Sequence, residues 1–241
     1  MMLPYQNKST VNEIKARFDA DVERFSNLET GQSATIDAPL VLDLVTDVAA
    51  ACNRSPSHIL DIGCGAGNYT LKLLEKLRSC KRITLIDLSD AMLAKAEKRI
   101  RAVSKAKITL IQGDIRSIDL GKEQFDTVLA AAVLHHLRDD HDWEEVFSKI
   151  FESVTQNGSF WISDLVLHDN QNIHHVMWER YGHYLSEFKG DAYRDDVFSY
   201  IQKEDSPRSL VFQLDLLKKV GFSELDILHK NAVFSAFGAV K

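Results

Sequence analysis

The sequence predicts an α/β fold with a doubly wound, mostly parallel sheet, and two observations lead to this prediction. From His58 onward, strand-like and helix-like segments alternate, which is typical of parallel strands joined by helices. The first strand-like segment opens into a turn with glycines at alternate positions, Gly63, Gly65 and Gly67. Glycine allows a ligand to approach the backbone, and the following helix begins with unpaired N–H groups. The turn therefore predicts a nucleotide-binding site.

The segment before this alternation is predicted to be helical. One apolar stripe at helical spacing is formed by Ile14, Phe18, Val22 and Phe25. A second helix is expected to begin near Asp37.

The core elements follow from the periodicity of the apolar residues. Strands are predicted near residues 58–62, 82–87, 107–112, 125–130 and 158–164, and helices near 67–78, 90–103 and 142–154. Ser89 is a natural N-cap for the second of these helices. The dipeptide Asn157-Gly158 predicts a turn into the fifth strand.

The pattern changes after Asp164. Residues 171–203 predict a polar and aromatic helical insertion, which we expect to act as a lid. A last helix is predicted over residues 208–220, ending at Gly221. Two apolar runs, 222–228 and 232–240, complete the chain.

Length and composition restrict the class of protein. A chain of 241 residues suits one α/β domain. The formal charge of −6 argues against nucleic acid as a partner. The longest apolar run, Val128 to Leu134, falls short of the roughly 18 residues of a membrane span, so no membrane partner is expected. The three cysteines are an odd number without the spacing of a metal site, and no charged-then-apolar leader precedes the first helix. These observations predict a cytoplasmic protein. The oligomeric state does not follow from the sequence.

The glycine spacing also discriminates between cofactors. A nicotinamide or flavin fingerprint would need a glycine at position 68, where the chain has Asn68. The motif is instead Asp-x-Gly-x-Gly-x-Gly, beginning at Asp61, and with this motif the chain resembles the Rossmann-like class I S-adenosylmethionine-dependent methyltransferases. Two further segments, Gln112 to Ile115 and Phe125 to Leu137, are similar to later motifs of that family. The resemblance covers roughly residues 37 to 164.

The resemblance implies S-adenosylmethionine as cofactor, S-adenosylhomocysteine as product, and a seven-stranded sheet with an antiparallel C-terminal strand. It implies one methyltransferase domain over residues 1–241, with a helical extension (1–36), a cofactor-binding core (37–164), a helical lid (165–207) and a last helix with a closing strand pair (208–241). The implied cofactor contacts are Asp87 for the ribose, Leu88, Asp114 and Ile115 for the adenine, Gly63, Gly65 and Gly67 for the methionine tail, and Asp61 and Ala130 for its ammonium group.

Histidines supply the candidate catalytic residues. Seven of the nine lie within residues 135–183, namely His135, His136, His141, His168, His174, His175 and His183. Histidine titrates near neutral pH and suits proton transfer, so His135 and His136, which follow the fourth strand, are the first candidates; packing histidines bonded to the backbone are the alternative. His175, Glu179 and His183 share one helical face, but an amphipathic helix explains them better, and we expect no metal.

Three functions remain open. The first is methyl transfer by in-line displacement to a small or medium organic acceptor. The second is an activity similar to that of carboxy-S-adenosylmethionine synthases, which remake the cofactor for tRNA wobble-uridine modification. The chain resembles them distantly at Glu204-Asp205-Ser206, and Arg194 or Arg208 would have to reach the carboxylate. The third is a cofactor-binding subunit without catalytic activity.

Overall fold

The strands of the computed structural model form one seven-stranded sheet; residues 8–27 and 32–241 are described. The strand order is β3-β2-β1-β4-β5-β7-β6. The strands are β1 (His58–Ile62), β2 (Arg82–Asp87), β3 (Lys107–Gln112), β4 (Phe125–Ala131), β5 (Val154–Leu165), β6 (Glu224–Asn231) and β7 (Phe234–Val240). Strands β1 to β5 pair in parallel, and β7 runs antiparallel to both of its neighbours. The predicted fold class is confirmed.

Helices cover both faces of this sheet. They are α1 (Val11–Ala20), α2 (Val22–Ser26), α3 (Ala38–Cys52), α4 (Asn68–Lys76), α5 (Asp90–Arg101), α6 (Asp140–Ser153), α7 (Gln171–Lys189), α8 (Asp191–Glu204) and α9 (Leu210–Val220). One face packs against α3, α4 and α5 through residues such as Ile59 and Leu85. The other packs against α6 and α9 through Leu60 and Phe160. Every helix in the described part of the chain is too short or too polar to span a bilayer.

The strand order reverses beside β1, which pairs with β2 on one side and with β4 on the other. All five residues of β1 are buried. In open α/β sheets, ligands bind beyond the carboxyl ends of the strands at such a reversal. The fold therefore predicts a ligand site at the segments that follow Ile62, Asp87 and Ala131.

Two local predictions were wrong. Strand β5 begins at Val154, and Asn157-Gly158 is not a turn into it. Asn157 takes a φ of 62°, and residues 155–158 of β5 lie opposite Asp126 alone, because Val154 pairs with Phe125 and Ser159 with Thr127. This irregularity of the ladder is larger than a one-residue β-bulge. The N-terminal apolar stripe is also divided between two helices, because α1 ends where the Asp21 N–H bonds to the Phe18 carbonyl.

The predicted insertion consists of two helices, α7 and α8, separated at Gly190. They pack through Tyr181 and Leu185 against Leu165 and Val233, beside the end of β5 and the start of β7. Helix α8 ends close to the residues that follow β4, since the Ser206 N–H donates to the His135 carbonyl over 2.6 Å. Of the expected N-terminal extension, residues 1–7 and 28–31 lie outside the described part of the chain.

Candidate functional site

The three glycines after β1 serve different purposes. All have positive φ angles, 64° at Gly63, 49° at Gly65 and 80° at Gly67. A Cβ atom at Gly63 would meet Val133 at 2.5 Å, and one at Gly67 would meet Ala96 at 3.2 Å. A Cβ atom at Gly65 would meet nothing within 4 Å. Gly63 and Gly67 thus permit close packing, whereas Gly65 borders open space at the strand ends.

Asp87 ties the end of β2 to this turn. Its Oδ2 accepts the Gly65 N–H over 2.8 Å, and its Oδ1 accepts the Ser89 N–H over 2.9 Å. The residue is only 9% exposed, and burial raises the pKa of its carboxyl group. A carboxylate has four lone-pair sites, and the N–H groups of Gly65, Ser89 and Leu88 leave at least one of them for a further donor.

Asp61 lies deeper, at 2% exposure. The Thr70 hydroxyl donates to its Oδ2 over 2.6 Å. Burial raises the pKa of Asp61 to about 7, despite this hydrogen bond. Its neighbour Ile62 pairs with Ala130 on β4, so Asp61 and Ala130 lie at the same edge of the sheet.

Asp114, beyond β3, has a strong partner that the sequence did not predict. Arg116 donates to both carboxylate oxygens, with Nη2 2.6 Å from Oδ2 and Nε 3.1 Å from Oδ1. Burial raises the pKa of Asp114, but the hydrogen bonds and charge of Arg116 outweigh it and lower the pKa. Ile115 is buried in the core, and Leu88, after β2, is half-buried.

The N-terminal helices cover this edge of the sheet. The Ser89 hydroxyl donates to Asp19 on α1, and the Asn68 side chain donates to the Phe25 carbonyl at the end of α2 over 3.0 Å. Arg99 on α5 donates to the Ala66 carbonyl over 2.6 Å and so braces the glycine turn. The sequence indicates Ser89 only as an N-cap and gives no signal for the contacts of Asp19 and Arg99, because each joins residues distant along the chain.

His135 and His136 lie in a short 3₁₀ turn, Leu134–His136, after β4. The Nδ1 of His135 is hydrogen-bonded to Oδ1 of Asp164 on β5. The other oxygen of Asp164 accepts the His135 backbone N–H over 3.1 Å. Both the ring and the backbone of His135 are therefore fixed by one carboxylate, which is fully buried.

Asp205, directly after α8, approaches both imidazoles. Its Oδ1 lies 3.3 Å from Nδ1 of His136 and 3.7 Å from Nε2 of His135. Burial raises the pKa of Asp205 to about 6. Burial opposes protonation of His135, but Asp164 and Asp205 raise its pKa to about 9. Burial and the adjacent His135 lower the pKa of His136 well below its usual value.

The other histidines of this stretch are not brought into the same cluster. His141 and His175 are exposed and lie 3.3 Å from Glu145 and Glu179 of their own helices. His183 is exposed on α7, so the helical trio considered for a metal lies at the surface. His168 instead lies 2.8 Å from the Lys230 ammonium.

Sequence reasoning gave no role to Asp164 or Asp205. For Asp164 a signal existed, because it lies near the end of β5 as Asp87 lies at the end of β2. For Asp205 the segment was noticed but its contact was not, since 70 positions separate it from His135 along the chain.

Comparison with known sequences agrees with this geometry. Residues 59–158 match the family model described as a methyltransferase domain. The carboxy-S-adenosyl-L-methionine synthase of Nautilia profundicola is 25% identical over 209 residues, covering 83% of this chain and 84% of that protein. The demethylmenaquinone methyltransferase of Lactococcus lactis subsp. lactis is 27% identical over 168 residues, covering 68% of this chain and 65% of that protein.

Solved structures share the fold. Human N-acetylserotonin methyltransferase, determined in complex with S-adenosylmethionine, matches with a TM-score of 0.59 at 16% identity, over 96% of this chain and 56% of that one. The matched domain, the related sequences and the common fold support a class I S-adenosylmethionine-dependent methyltransferase, with S-adenosylmethionine as its cofactor.

Proposed function

We propose that this chain transfers the methyl group of S-adenosylmethionine to a small or medium organic acceptor that binds beside His135 and His136. The observation that supports this most is the convergence of Asp61, Asp87 and the open side of Gly65 at the sheet reversal. Methyl transfer is an in-line displacement, so the enzyme mainly holds donor and acceptor in contact and excludes water. The buried surroundings of the two histidines suit that task.

In this proposal the two aspartates of the central strands bind the polar ends of the cofactor. The ribose hydroxyls donate to the Asp87 carboxylate, and Leu88 packs on the adenine. Asp61 and the Ala130 carbonyl bind the ammonium group, while the tail passes over Gly65. Burial of Asp61 makes its pairing with a cation favourable, because a neutralising charge offsets the cost of desolvation.

The remaining proposed contacts are those of the turn and of the segment after β3. Gly63 and Gly67 shape the turn through their packing. Asp114 accepts the adenine amino group in place of one of the four hydrogen bonds that Arg116 makes to its carboxylate. Ile115 acts through its backbone, because its side chain is buried in the core.

The acceptor side is proposed to lie between the turn Leu134–His136, helix α1 and the end of α8. Phe18 on α1 packs edge-on against the His136 ring, with centroids 6.2 Å apart. Helices α7 and α8 are proposed as the lid, and α8 brings Asp205 to the histidine pair. Substrate choice then depends on α1 and α8, which lie outside the shared core.

Carboxy-S-adenosylmethionine synthesis is the second candidate, because related proteins carry that name. Carboxy-S-adenosylmethionine carries an additional carboxylate, and a protein that binds it needs a cation beside that group. Arg194 is paired with Asp191 and Asp195 on α8, and Arg208 is paired with Asp140. The residues that surround the histidine pair instead include two carboxylates, Asp164 and Asp205. The nearby cations Arg17 and Arg138 are bonded to Glu204 and to backbone carbonyls, so methyl transfer remains the first proposal.

Mass spectrometry tests the proposal in two steps. Ligand released from the purified chain should have the mass of S-adenosylmethionine or S-adenosylhomocysteine, and a carboxylated donor would establish the second candidate instead. Turnover with methyl-labelled cofactor over an acceptor panel should then yield S-adenosylhomocysteine together with a labelled product. His136→Ala should reduce this turnover, whereas the exposed control His141→Ala should not. Persistent absence of turnover despite tight cofactor binding would contradict the methyl-transfer proposal.

A further inference from the structure

We propose that His135, His136 and Asp205 bind one divalent transition-metal ion. Among the described residues, 8–27 and 32–241, these three side chains each offer one ligand atom, and the three atoms lie within 4.8 Å of one another. The three residues come from two places in the chain, the turn after β4 and the end of α8. Packing of α8 against the sheet is what assembles them.

The distances between the ligand atoms fit a shared ion. Two ligands at about 2.0–2.2 Å from a metal, with angles between right and trigonal, lie roughly 3.0–3.7 Å apart. Oδ1 of Asp205 is 3.3 Å from Nδ1 of His136 and 3.7 Å from Nε2 of His135. The two imidazole ligand atoms lie within 4.8 Å of each other, so an ion that contacts all three atoms requires the histidine rings to move toward Asp205.

Among the described residues, Oδ1 of Asp205 and both ring nitrogens of His136 are buried without a hydrogen-bond partner. Asp205 is 2% exposed, yet its Oδ1 makes no hydrogen bond, although it points between two imidazoles. The Glu204 carbonyl approaches the His136 ring, but neither ring nitrogen reaches hydrogen-bond geometry. Buried polar atoms almost always have a partner, and a cation would satisfy the carboxylate oxygen and an imidazole nitrogen at once.

His135 is oriented as a metal-binding histidine would be. Its Nδ1 is bonded to the carboxylate of Asp164, which leaves Nε2 directed toward Asp205. A carboxylate on the far nitrogen fixes the tautomer and the ring orientation of such ligands and makes them more basic. Asp164 therefore acts as a positioning residue for the site.

Neighbouring cations are engaged with other groups. The Arg17 guanidinium pairs with Glu204 over 2.9 Å. Arg138 donates to the carbonyls of Ser9 and Glu204, and Lys8 donates to the carbonyls of Gln202 and Asp205. None of these contacts occupies the Oδ1 of Asp205 that the ion requires.

The set of ligands defines the class of ion. Two imidazoles and one carboxylate suit Fe²⁺, Co²⁺ or Zn²⁺, whereas Mg²⁺ and Ca²⁺ prefer oxygen ligands. Three protein ligands leave at least one coordination position for another molecule, as in catalytic rather than structural sites. The position lies on the proposed acceptor side, so an acceptor with an oxygen donor is the class of compound that this site would bind.

Cobalt titration of the full chain, without a histidine tag and after chelator treatment, tests the site directly. We expect one equivalent of Co²⁺ to bind with visible d–d absorption. Asp205→Asn should weaken binding more than 100-fold, and Asp164→Asn should weaken it about 10- to 100-fold. Glu179→Gln provides a matched control, because Glu179 lies 3.3 Å from His175 in an exposed acid–histidine pair, and it should change nothing.

Two results would overturn the proposal. The first is absence of Co²⁺ binding by the wild type, and the second is equal binding by wild type and Asp205→Asn. If Asp205→Asn fails to fold, His136→Gln provides the same comparison, and X-ray absorption of the Co²⁺ form must show two imidazole ligands. These readouts use neither cofactor nor acceptor, so the metal site can fail while methyl transfer stands, and the reverse also holds.

Discussion

The carboxylate of Asp87 accepts the backbone N–H of Gly65 over 2.8 Å and so joins the end of β2 to the turn that follows β1. This bond places a buried carboxylate against the open side of the glycine turn. The two motifs recognised separately in the sequence are therefore one structural unit. A ligand that contacts the turn therefore also contacts the carboxylate, and we expect substitutions at Asp87 and at Gly65 to weaken its binding.

Asp87→Asn should weaken binding of S-adenosylhomocysteine by about 1.5–3 kcal/mol, which corresponds to a roughly 10- to 150-fold higher Kd. The amide retains one acceptor oxygen but presents an NH₂ group where an acceptor is needed. Isothermal titration calorimetry measures the change. Asp90→Asn is the control, because Asp90 is exposed in the first turn of α5. Equal affinities for Asp87→Asn and wild type would refute the role given to Asp87.

Gly65→Ala should weaken cofactor binding at least tenfold. The new Cβ would enter the space that we assign to the methionine tail, and the φ of 49° adds about 1 kcal/mol of strain. Gly190→Ala is a matched control, because its φ is 87° and its Cβ also meets nothing within 4 Å. It should lower the melting temperature without changing the Kd. The same Kd for both variants would show that Gly65 does not border the ligand.

The core of the fold could be predicted because its determinants are local. The apolar run that ends in Asp87 and the N-cap Ser89 predict β2 and α5 from neighbouring residues alone. The start of β5 could not be predicted in this way. Asn157-Gly158 suits a turn and an irregularity within a strand equally well, and pairing with β4, distant along the chain, decides between them.

The same distinction between local and long-range determinants applies to the candidate site. The residues proposed to bind the cofactor lie in contiguous motifs, so the sequence was sufficient to propose Asp61 and Asp87. The contacts of His135 with Asp164 and Asp205 join three separate segments, and a sequence pattern does not encode which acid reaches which ring. The partner of Asp114 was missed for another reason, because Arg116 is near in sequence but marks no motif.

Asp61 should give the protein a distinctive pH dependence of stability. Its pKa is raised to about 7 in the folded chain, from about 3.8 in the unfolded chain. Between these values the folded state keeps a proton that the unfolded state releases, so the free energy of unfolding falls as pH rises from about 4 to 7. Asp61→Asn keeps an acceptor for Thr70 and should lose this slope, worth a few kcal/mol. Denaturant titrations across pH measure it.

The difference between wild type and Asp61→Asn isolates this residue, because all other titrating groups are common to both proteins. Asp205, whose pKa is raised to about 6, acts in the same direction in each of them. Parallel pH profiles for the two proteins would contradict the prediction.

Cofactor binding should release a proton from Asp61. The ammonium group that we place beside this carboxylate lowers its pKa, so below pH 7 the bound form carries less of the proton than the free form. Affinity for S-adenosylhomocysteine should therefore rise between pH 5 and pH 7. Calorimetry at pH 6.5 in buffers of different ionisation enthalpy measures the released proton. Asp61→Asn should release none, and an equal release by this variant would place the ammonium group elsewhere.

Helix α1 should slow cofactor release through Asp19. The Ser89 hydroxyl, two residues beyond Asp87, donates to this carboxylate and so holds α1 over the edge of the sheet. Asp19→Ala removes this bond together with the Lys15–Asp19 bridge within α1. Loss of the bond to Ser89 is worth about 1 kcal/mol, so the variant should raise the dissociation rate of S-adenosylhomocysteine about fivefold. Stopped-flow displacement measures this rate. Asp21→Ala removes only the Arg24 pair at the surface and should leave it unchanged.

The pair of Arg17 and Glu204 should be the main polar link between α1 and α8. Arg17 donates to both oxygens of Glu204, over 3.1 and 2.9 Å, and the Glu204 side chain is only 8% exposed. Arg17→Met leaves that buried carboxylate without its cation and should lower the free energy of unfolding by about 2–4 kcal/mol. The double variant with Glu204→Gln should recover part of this loss, because the stranded charge is removed.

Lys15→Met is the control for this pair, since it breaks the more exposed Lys15–Asp19 bridge on the same helix and should cost under about 1 kcal/mol. Chemical denaturation of the four proteins completes the comparison. If Arg17→Met costs no more than Lys15→Met, then neither the ion pair nor the guanidinium over the Tyr200 ring contributes much to stability, and α1 is held on α8 by other contacts.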